Sequence, residues 1–455
     1  MVSSARPGSE RSVIAASAET LLLRTLLALV GFGASVLLSR GLGPQGRGEY
    51  YLPVIAAATM VALGKLGFDQ MNVYLFGSRG IAADRLSGQN GLVALVMGGL
   101  GPLTLLLAAA GLPGVFAGTS LSLLMLVGLS IPFTLHTQFS AGLLTLTGEV
   151  TWQFRAALLA GVVQLGGLAA LWALGWLAVG SALALHVLNA LLTWLVIVWA
   201  LGQQEQSWVR WDPQLLRETV RHSALLHLGF VLFFLHLRLD MFMVKVMVGP
   251  TALGLYSLAV ILAETVLLPT DSLTIAVLPR QVGNTLPEAA TLALRVARAN
   301  VLLALGVAVI WTAVGMGAIR IVFGAAFADA YGPLVGLLPG MVFLGMQRVC
   351  GGPALRAGKP GRITGIYALS LLCNIALNLV WIPRWGPLGA SLASSVSYGA
   401  GAVMFLAWMA RLAGAPLFAS LVPRRSDWQV LWRAALQGTQ FVQHTLATKA
   451  GAVGR

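Results

Sequence analysis

The sequence predicts an all-α polytopic membrane protein of about twelve transmembrane helices in two six-helix, pseudo-symmetric bundles. Three observations carry that expectation. Of 455 residues, 58% are hydrophobic and only 10% charged, against roughly 25% charged in a soluble domain, so a soluble fold would lack a polar surface. Apolar runs of membrane-crossing length recur from end to end. A short pattern beside the first of them returns, one half-chain later, beside the seventh.

A crossing helix needs about 20 mostly apolar residues. Such segments fall at 13–38, 51–73, 92–112, 119–143, 154–175, 180–202, 222–246, 254–279, 296–318, 332–350, 363–383 and 388–411. Gly, Pro or charge marks the breaks between them. The first run is too long for a signal-peptide core and contains Glu19 and Arg24, so it stays as the first membrane helix. With the N-terminus in the cytoplasm, 21 of the 29 Lys and Arg residues fall at cytoplasmic ends, in cytoplasmic loops or in the tail. Five fall on the opposite side: Arg40, Arg47, Lys245, Arg320 and Arg384. That asymmetry follows the positive-inside rule and puts both termini in the cytoplasm. The expected organisation is a first bundle over 1–202, a cytoplasmic linker over 203–221, a second bundle over 222–412 and a cytoplasmic tail over 413–455. Within the tail, Trp428, Leu431, Trp432, Ala435 and Leu436 recur at helical spacing, with Gln429, Arg433, Gln437 and Gln440 opposite. This predicts an amphipathic helix on the inner membrane surface.

Several function classes drop out. The net charge of +14 is the positive-inside excess, not a basic stripe on a soluble face, so no nucleic-acid partner is expected. Cys350 and Cys373 lie in apolar surroundings and read as small buried hydrophobes. Gly41 to Gly46 spells G-x-G-x-x-G but follows a membrane helix rather than a strand, so it is not a dinucleotide site. There is no Walker A sequence. His136, His222, His227 and His236 lack metal-ligand spacing, so neither metal nor cofactor is expected beyond a coupling ion, H+ or Na+. Short loops leave no room for a catalytic domain, and the chain is expected not to be an enzyme.

The repeat carries the most information. Gly43-Pro44-Gln45-Gly46-Arg47-Gly48-Glu49-Tyr50 and Gly249-Pro250-Thr251-Ala252-Leu253-Gly254-Leu255-Tyr256 both read G-P-x-x-x-G-x-Y, at an offset of 206. Trp176 to Ala184 and Trp385 to Ala393 form a second pair at an offset of 209. Six helices return the chain to its starting side. The halves are therefore parallel repeats about an axis along the membrane normal, an arrangement that places a substrate path at the repeat interface.

A charged side chain at the bilayer centre costs about 2.5–3.5 kcal/mol even on the mild insertion scale. The sequence keeps Glu19 and Arg24 in the first segment, Lys65 and Asp69 in the second, Arg238, Asp240 and Lys245 in the seventh, and Glu264 and Asp271 in the eighth. They concentrate in the first two helices of each half, which are expected to line a polar cavity. Lys65 and Asp69 share a helix face. Lys65 and Asp271 are equivalent under the offset of 206, which suggests a closable pair. Arg24, Lys65, Arg238 and Lys245 are the candidate substrate-binding residues, because cations suit phosphate. Asp69, Asp240, Glu264 and Asp271 are the candidate coupling or gating residues. Arg40, Arg47 and Glu49 read as anchors at the outer interface. Pro53 and Pro269 are expected to bend the second and eighth helices.

Leu38 to Pro44, continuing through Gly48-Glu49-Tyr50, resembles the first helix-turn-helix of the polysaccharide (Wzx-type) flippases. That family sits in a superfamily with the lipid II flippases and the multidrug and toxin extruders (MATE). Arg238-Leu239-Asp240 with Gly249-Pro250 and Gly254-Leu255-Tyr256 resembles the same family's seventh and eighth helices. Leu355 to Pro360, Asn374 to Leu379, Ile382-Pro383 and Gly386 to Ala390 are similar to its eleventh and twelfth. The resemblance implies a MATE/lipid II flippase-like fold in a bacterial inner membrane, and an undecaprenyl-pyrophosphate-linked oligosaccharide moved through a cationic cavity. It also implies membrane lipids, a polysaccharide polymerase and a chain-length regulator as partners in surface polysaccharide biosynthesis. Lipid II flippases usually carry two extra C-terminal helices, which are not expected after residue 412 here, and this weighs against a lipid II assignment without excluding it. A cation-coupled drug extruder, since the same helices hold acids as well as bases, and a lipid II flippase are the alternatives.

Overall fold

The computed structural model describes residues 7–68, 71–72, 75–76, 81–147, 149–202 and 212–416. All regular structure among them is helical. In chain order the main helices are α1 (Pro7–Gly64), α2 (Ala83–Gly111), α3 (Leu121–Gly128), α4 (Ser130–Leu146), α5 (Thr151–Ala173), α6 (Val179–Gly202), α7 (Pro213–Met247), α8 (Pro250–Glu264), α9 (Leu268–Gly283), α10 (Leu286–Ala318), α11 (Tyr331–Arg356), α12 (Pro360–Trp385) and α13 (Pro387–Ala413).

Ten stretches are long and apolar enough to cross a membrane. One of them, Leu22–Gly64, is two crossings joined at Gly43, whose backbone (φ 66°, ψ −179°) is not helical. α7, with 35 residues, is also long enough. Its three histidines, with Arg238 and Asp240, lower its hydropathy. Counted this way, the described helices include twelve stretches of crossing length, the number the sequence predicts, and the chain is a multi-pass membrane protein.

Helix boundaries differ from expectation for local reasons. The octet after Gly43 is not a connecting loop but the first turns of a helix, as is the octet after Gly249. In both, a glycine with positive φ (66° and 118°) makes the turn. The proline that follows opens the helix, because its fixed φ suits that position and its missing N–H is not needed there. α10 starts at Leu286, well before the expected 296. Thr285 is its cap: the Thr285 backbone N and hydroxyl both donate to Glu288 Oε2, at 2.9 and 2.8 Å. This is half of a capping box, a T-x-x-E signal present in the sequence. Arg295 and Arg298, expected at a cytoplasmic end, therefore lie inside α10, and Arg298 is buried. Pro269 interrupts its helix. It has no N–H for the Thr265 carbonyl, and Leu268 N takes that carbonyl instead, giving a 3-10 turn at Thr265–Leu267 between α8 and α9. The expected tail helix from Ser426 lies outside the described residues, as do Asp69 and linker positions 203–211.

The chain forms two compact units. One comprises Met1–Leu258, Gly317–Ala330 and Ile375–Ala390, and the other Ala259–Met316, Tyr331–Asn374 and Ser391–Arg455. In the first, the two octets pack on each other. A Cβ on Gly48 would collide with the Pro250 carbonyl, and one on Gly254 with the Pro44 carbonyl. Pro44 and Pro250, and Gly48 and Gly254, are repeat mates, so the contact is self-reciprocal, as across a two-fold axis. The core of the second unit gathers Leu273, Val277, Met346, Val349, Phe405 and Met409.

Candidate functional site

The predicted residues occupy several distinct settings. The most developed lies where the second crossing ends. Its helix stops at Lys65: Phe68 N reaches back only to Lys65 O, at 2.9 Å. Leu66 (φ 48°) and Gly67 (φ 77°) are both left-handed. The carbonyls this break exposes are taken by α7. Ser223 Oγ donates to Leu66 O at 2.7 Å, and His227 Nε2 lies 3.1 Å from Leu63 O. Gly67 packs directly on Ser223, whose Cβ would be 2.7 Å from a Cβ there. Beside the break is a cavity of about 260 Å³ lined by Ala62, Lys65, His227, Phe230, Phe233, Phe234 and Leu237. The three phenylalanines and Leu237 fall at i, i+3, i+4 and i+7, one stripe of α7. Irregular backbone at membrane depth is tolerated only where protein covers it or a wet cavity borders it.

The second setting surrounds Arg47. Sequence reading made it an interface anchor, but it is 1% exposed. Its guanidinium donates to Ser39 Oγ (2.7 Å), Ser257 Oγ (3.1 Å) and both Ser35 O and Ser35 Oγ (3.2 Å each), and lies 5.7 Å from the Tyr51 ring centre. The hydroxyls are free to accept because their own protons go elsewhere: Ser39 donates to Ser35 O and Ser257 to Gly254 O. Arg40 donates to the carbonyls of Ile321 and Val322. Gln45 Nε2 donates to Glu49 Oε1 at 2.9 Å.

Of the other predicted residues, Asp240 is 1% exposed and accepts from Tyr256 Oη at 2.6 Å. Lys245 is 8% exposed, and its Nζ donates to Ala117 O at 3.0 Å, so it ties α7 to the loop before α3. Arg24 is exposed and sits 5.8 Å from the ring centre of Phe154 on α5. Its neighbour Glu19 accepts from Arg155 Nε at 2.8 Å. Arg238 and Glu264 are part-buried. Asp271 accepts from Arg348 Nη1 at 2.8 Å, a partner that sequence reading had placed at a cytoplasmic helix end. Sequence reasoning also missed Ser223, His227 and the serines around Arg47. Histidine spacing tests for metal ligation but not for a bond to a distant helix carbonyl. Among the described residues no group of three His, Cys, Asp or Glu is placed to hold a metal ion.

No family sequence profile matches the chain, and no curated protein does. Solved structures do match. Lipid II flippase MurJ in an inward closed conformation superposes with a TM-score of 0.72 at 15% identity, over 92% of this chain and 92% of that one. An inward-facing MATE-family multidrug transporter of the MOP superfamily gives 0.64 at 15% identity, over 85% and 95%. An outward-facing one gives 0.63 at 17%, over 89% and 96%. The chain therefore has the all-helical fold shared by the lipid II flippase MurJ and the MATE transporters.

Proposed function

We propose that the protein flips an undecaprenyl-pyrophosphate-linked oligosaccharide from the cytoplasmic to the outer leaflet of a bacterial inner membrane, by alternating access of two six-helix halves. The observation that carries the reading is a fold similar to a lipid II flippase over nearly the whole of both chains, in a sequence that retains cations inside the membrane. The polysaccharide-flippase motifs around Gly43, Arg238 and Gly386 turn it from lipid II toward oligosaccharide export. Arg24, Lys65 and Arg238 are the residues we assign to the anionic head group. Lys245 joins them only when its bond to Ala117 opens. Asp240, Glu264 and Asp271 serve coupling or gating, with Asp69 as the neighbour of Lys65 along the chain. A polymerase and a chain-length regulator would act on the delivered product.

A cation-coupled extruder is the second reading. The buried Asp240 carboxyl with its Tyr256 partner favours it, since proton or sodium coupling needs an acid shielded from water. Deleting the gene and identifying the polyprenyl-linked saccharides that accumulate separates the two. The flippase reading expects a defined undecaprenyl-pyrophosphate oligosaccharide, cleared by the intact gene and not by Arg24→Ala. Unchanged lipids together with retained cationic dyes would mean an extruder.

A further inference from the structure

We propose that the cavity at the break in the second crossing is the docking subsite for the phosphate-bearing end of the polyprenyl tail, the joint between head group and lipid. The inference rests on the flippase reading and assigns one part of the substrate to one place.

Size is the first argument. Pockets for drug-sized ligands run from roughly 300 to 1,000 Å³. A cavity of about 260 Å³ has no room for an oligosaccharide, but it does fit a phosphate with the first isoprene units. Its lining is amphiphilic in the same sense. Lys65 supplies a compact cationic donor for phosphate oxygens. Phe230, Phe233, Phe234 and Leu237 supply an apolar wall for the allylic carbons. A purely aqueous vestibule would leave the aromatic stripe wet.

The site is also built. Leu66 holds a left-handed conformation (φ 48°), which crowds the Cβ of a non-glycine residue against the following carbonyl. The strain is maintained by the Ser223 and His227 contacts to the carbonyls of Leu66 and Leu63. Ending the helix there places Lys65 at its last turn, beside the phenylalanine stripe. Strain kept in place by neighbouring groups is a mark of functional sites. The repeat mate shows no copy of the arrangement. The position equivalent to Lys65 is Asp271, which binds Arg348, and the irregular turn there lies earlier, at Thr265–Leu267.

Native mass spectrometry of the purified full-length protein with undecaprenyl phosphate, undecaprenol and phosphatidylglycerol tests the proposal. Undecaprenyl phosphate is expected to bind at least about tenfold more tightly than either control, a difference of about 1.4 kcal/mol. Lys65→Gln should reduce it to the undecaprenol level while leaving undecaprenol binding unchanged. Phe233→Ala/Phe234→Ala should weaken both polyprenyl lipids by a similar factor, with melting temperature checked for each variant. Unchanged binding in Lys65→Gln overturns the proposal. So does equal binding of phosphatidylglycerol, which would make the cavity a general phospholipid site. If Lys65→Gln loses binding but cells still clear the saccharide lipid at the normal rate, the cavity is off the route: the proposal fails and the flippase reading stands. If undecaprenyl phosphate binds as expected but gene deletion accumulates no saccharide lipid, the flippase reading fails and the cavity stands as a polyprenyl-phosphate site.

Discussion

At the scale of single residues, buried charge decides what each group does. Among the described residues, Arg47 bonds no carboxylate. Its charge is spread over three serine oxygens and one carbonyl, each serine passing its own proton to a helix carbonyl or accepting alone. A hydrogen bond to a charged group contributes about 1.5–3 kcal/mol, so Ser39→Ala should destabilise the protein by about that much, read as a lower melting temperature in detergent. Arg47→Lys should cost more, because an ammonium lacks the planar fork that reaches Ser39 and Ser257 together. A melting temperature unchanged in both variants would show that the guanidinium finds other partners. The sequence marked Lys65, Asp240, Lys245 and Asp271 as residues to explain, since each is costly in a bilayer. It did not reveal what they bind. Tyr256, Ala117 and Arg348 lie 16, 128 and 77 positions away from their partners, and no helical period links such distances. For the same reason Arg47 read as an anchor at the water interface: hydropathy does not register three serines converging from two distant segments.

At the scale of elements, the breaks in the helices are more informative than their lengths. The Gly-Pro junctions at 43–44 and 249–250 are visible as punctuation, but hydropathy alone places them between apolar runs and does not show that each proline opens the next helix. The Thr285–Glu288 cap is legible as a T-x-x-E signal. The break at Leu66–Gly67 was not legible, because a non-glycine left-handed residue leaves no compositional trace. Two predictions belong here. Gly67→Ala places a methyl on a φ of 77° and within 2.7 Å of the Ser223 Cβ, and should cost about 1–3 kcal/mol from overpacking alone. Ser223→Ala leaves the Leu66 carbonyl without its donor, at about 1–3 kcal/mol. Both should lower the melting temperature, and limited proteolysis should cut first near the break. At the reciprocal contact, Gly48→Ala and Gly254→Ala should each force the two octets apart, since each new methyl meets a backbone carbonyl that cannot rotate away. Because either change alone opens the contact, the double variant should be scarcely less stable than the worse single one, a non-additivity expected of touching sites. Strict additivity would mean that the two glycines do not share one contact in solution.

At the scale of the whole molecule, the long-range bonds test the number of crossings. If the described helices cross twelve times, successive ends alternate between the two sides, and any two ends joined by a side chain must lie on the same side. They do. Arg40, at the end of the first crossing, bonds the end of the ninth at Ile321 and Val322. Lys245, at the end of the seventh, bonds the turn after the third at Ala117. Arg85, at the start of the third, pairs with Asp212, at the start of the seventh. Arg356, at the end of the tenth, bonds the Gln281 and Asn284 carbonyls where the eighth ends. Removing one crossing would place several of these partners across about 30 Å of hydrocarbon. The bonds fix which ends share a side, and the Lys and Arg asymmetry assigns the sides to compartments. The two together make a definite prediction. In a variant with Cys350 and Cys373 replaced by serine, Gly114→Cys should react with a membrane-impermeant maleimide in intact sphaeroplasts. Glu149→Cys and Lys359→Cys should react only after the membrane is opened. All three positions are exposed, so failure to label after permeabilisation would not be expected of any of them. Labelling of Lys359→Cys from outside would invert the assignment while keeping the count. Labelling of Glu149→Cys and Lys359→Cys from opposite sides would break the alternation itself, and with it the twelve-crossing fold.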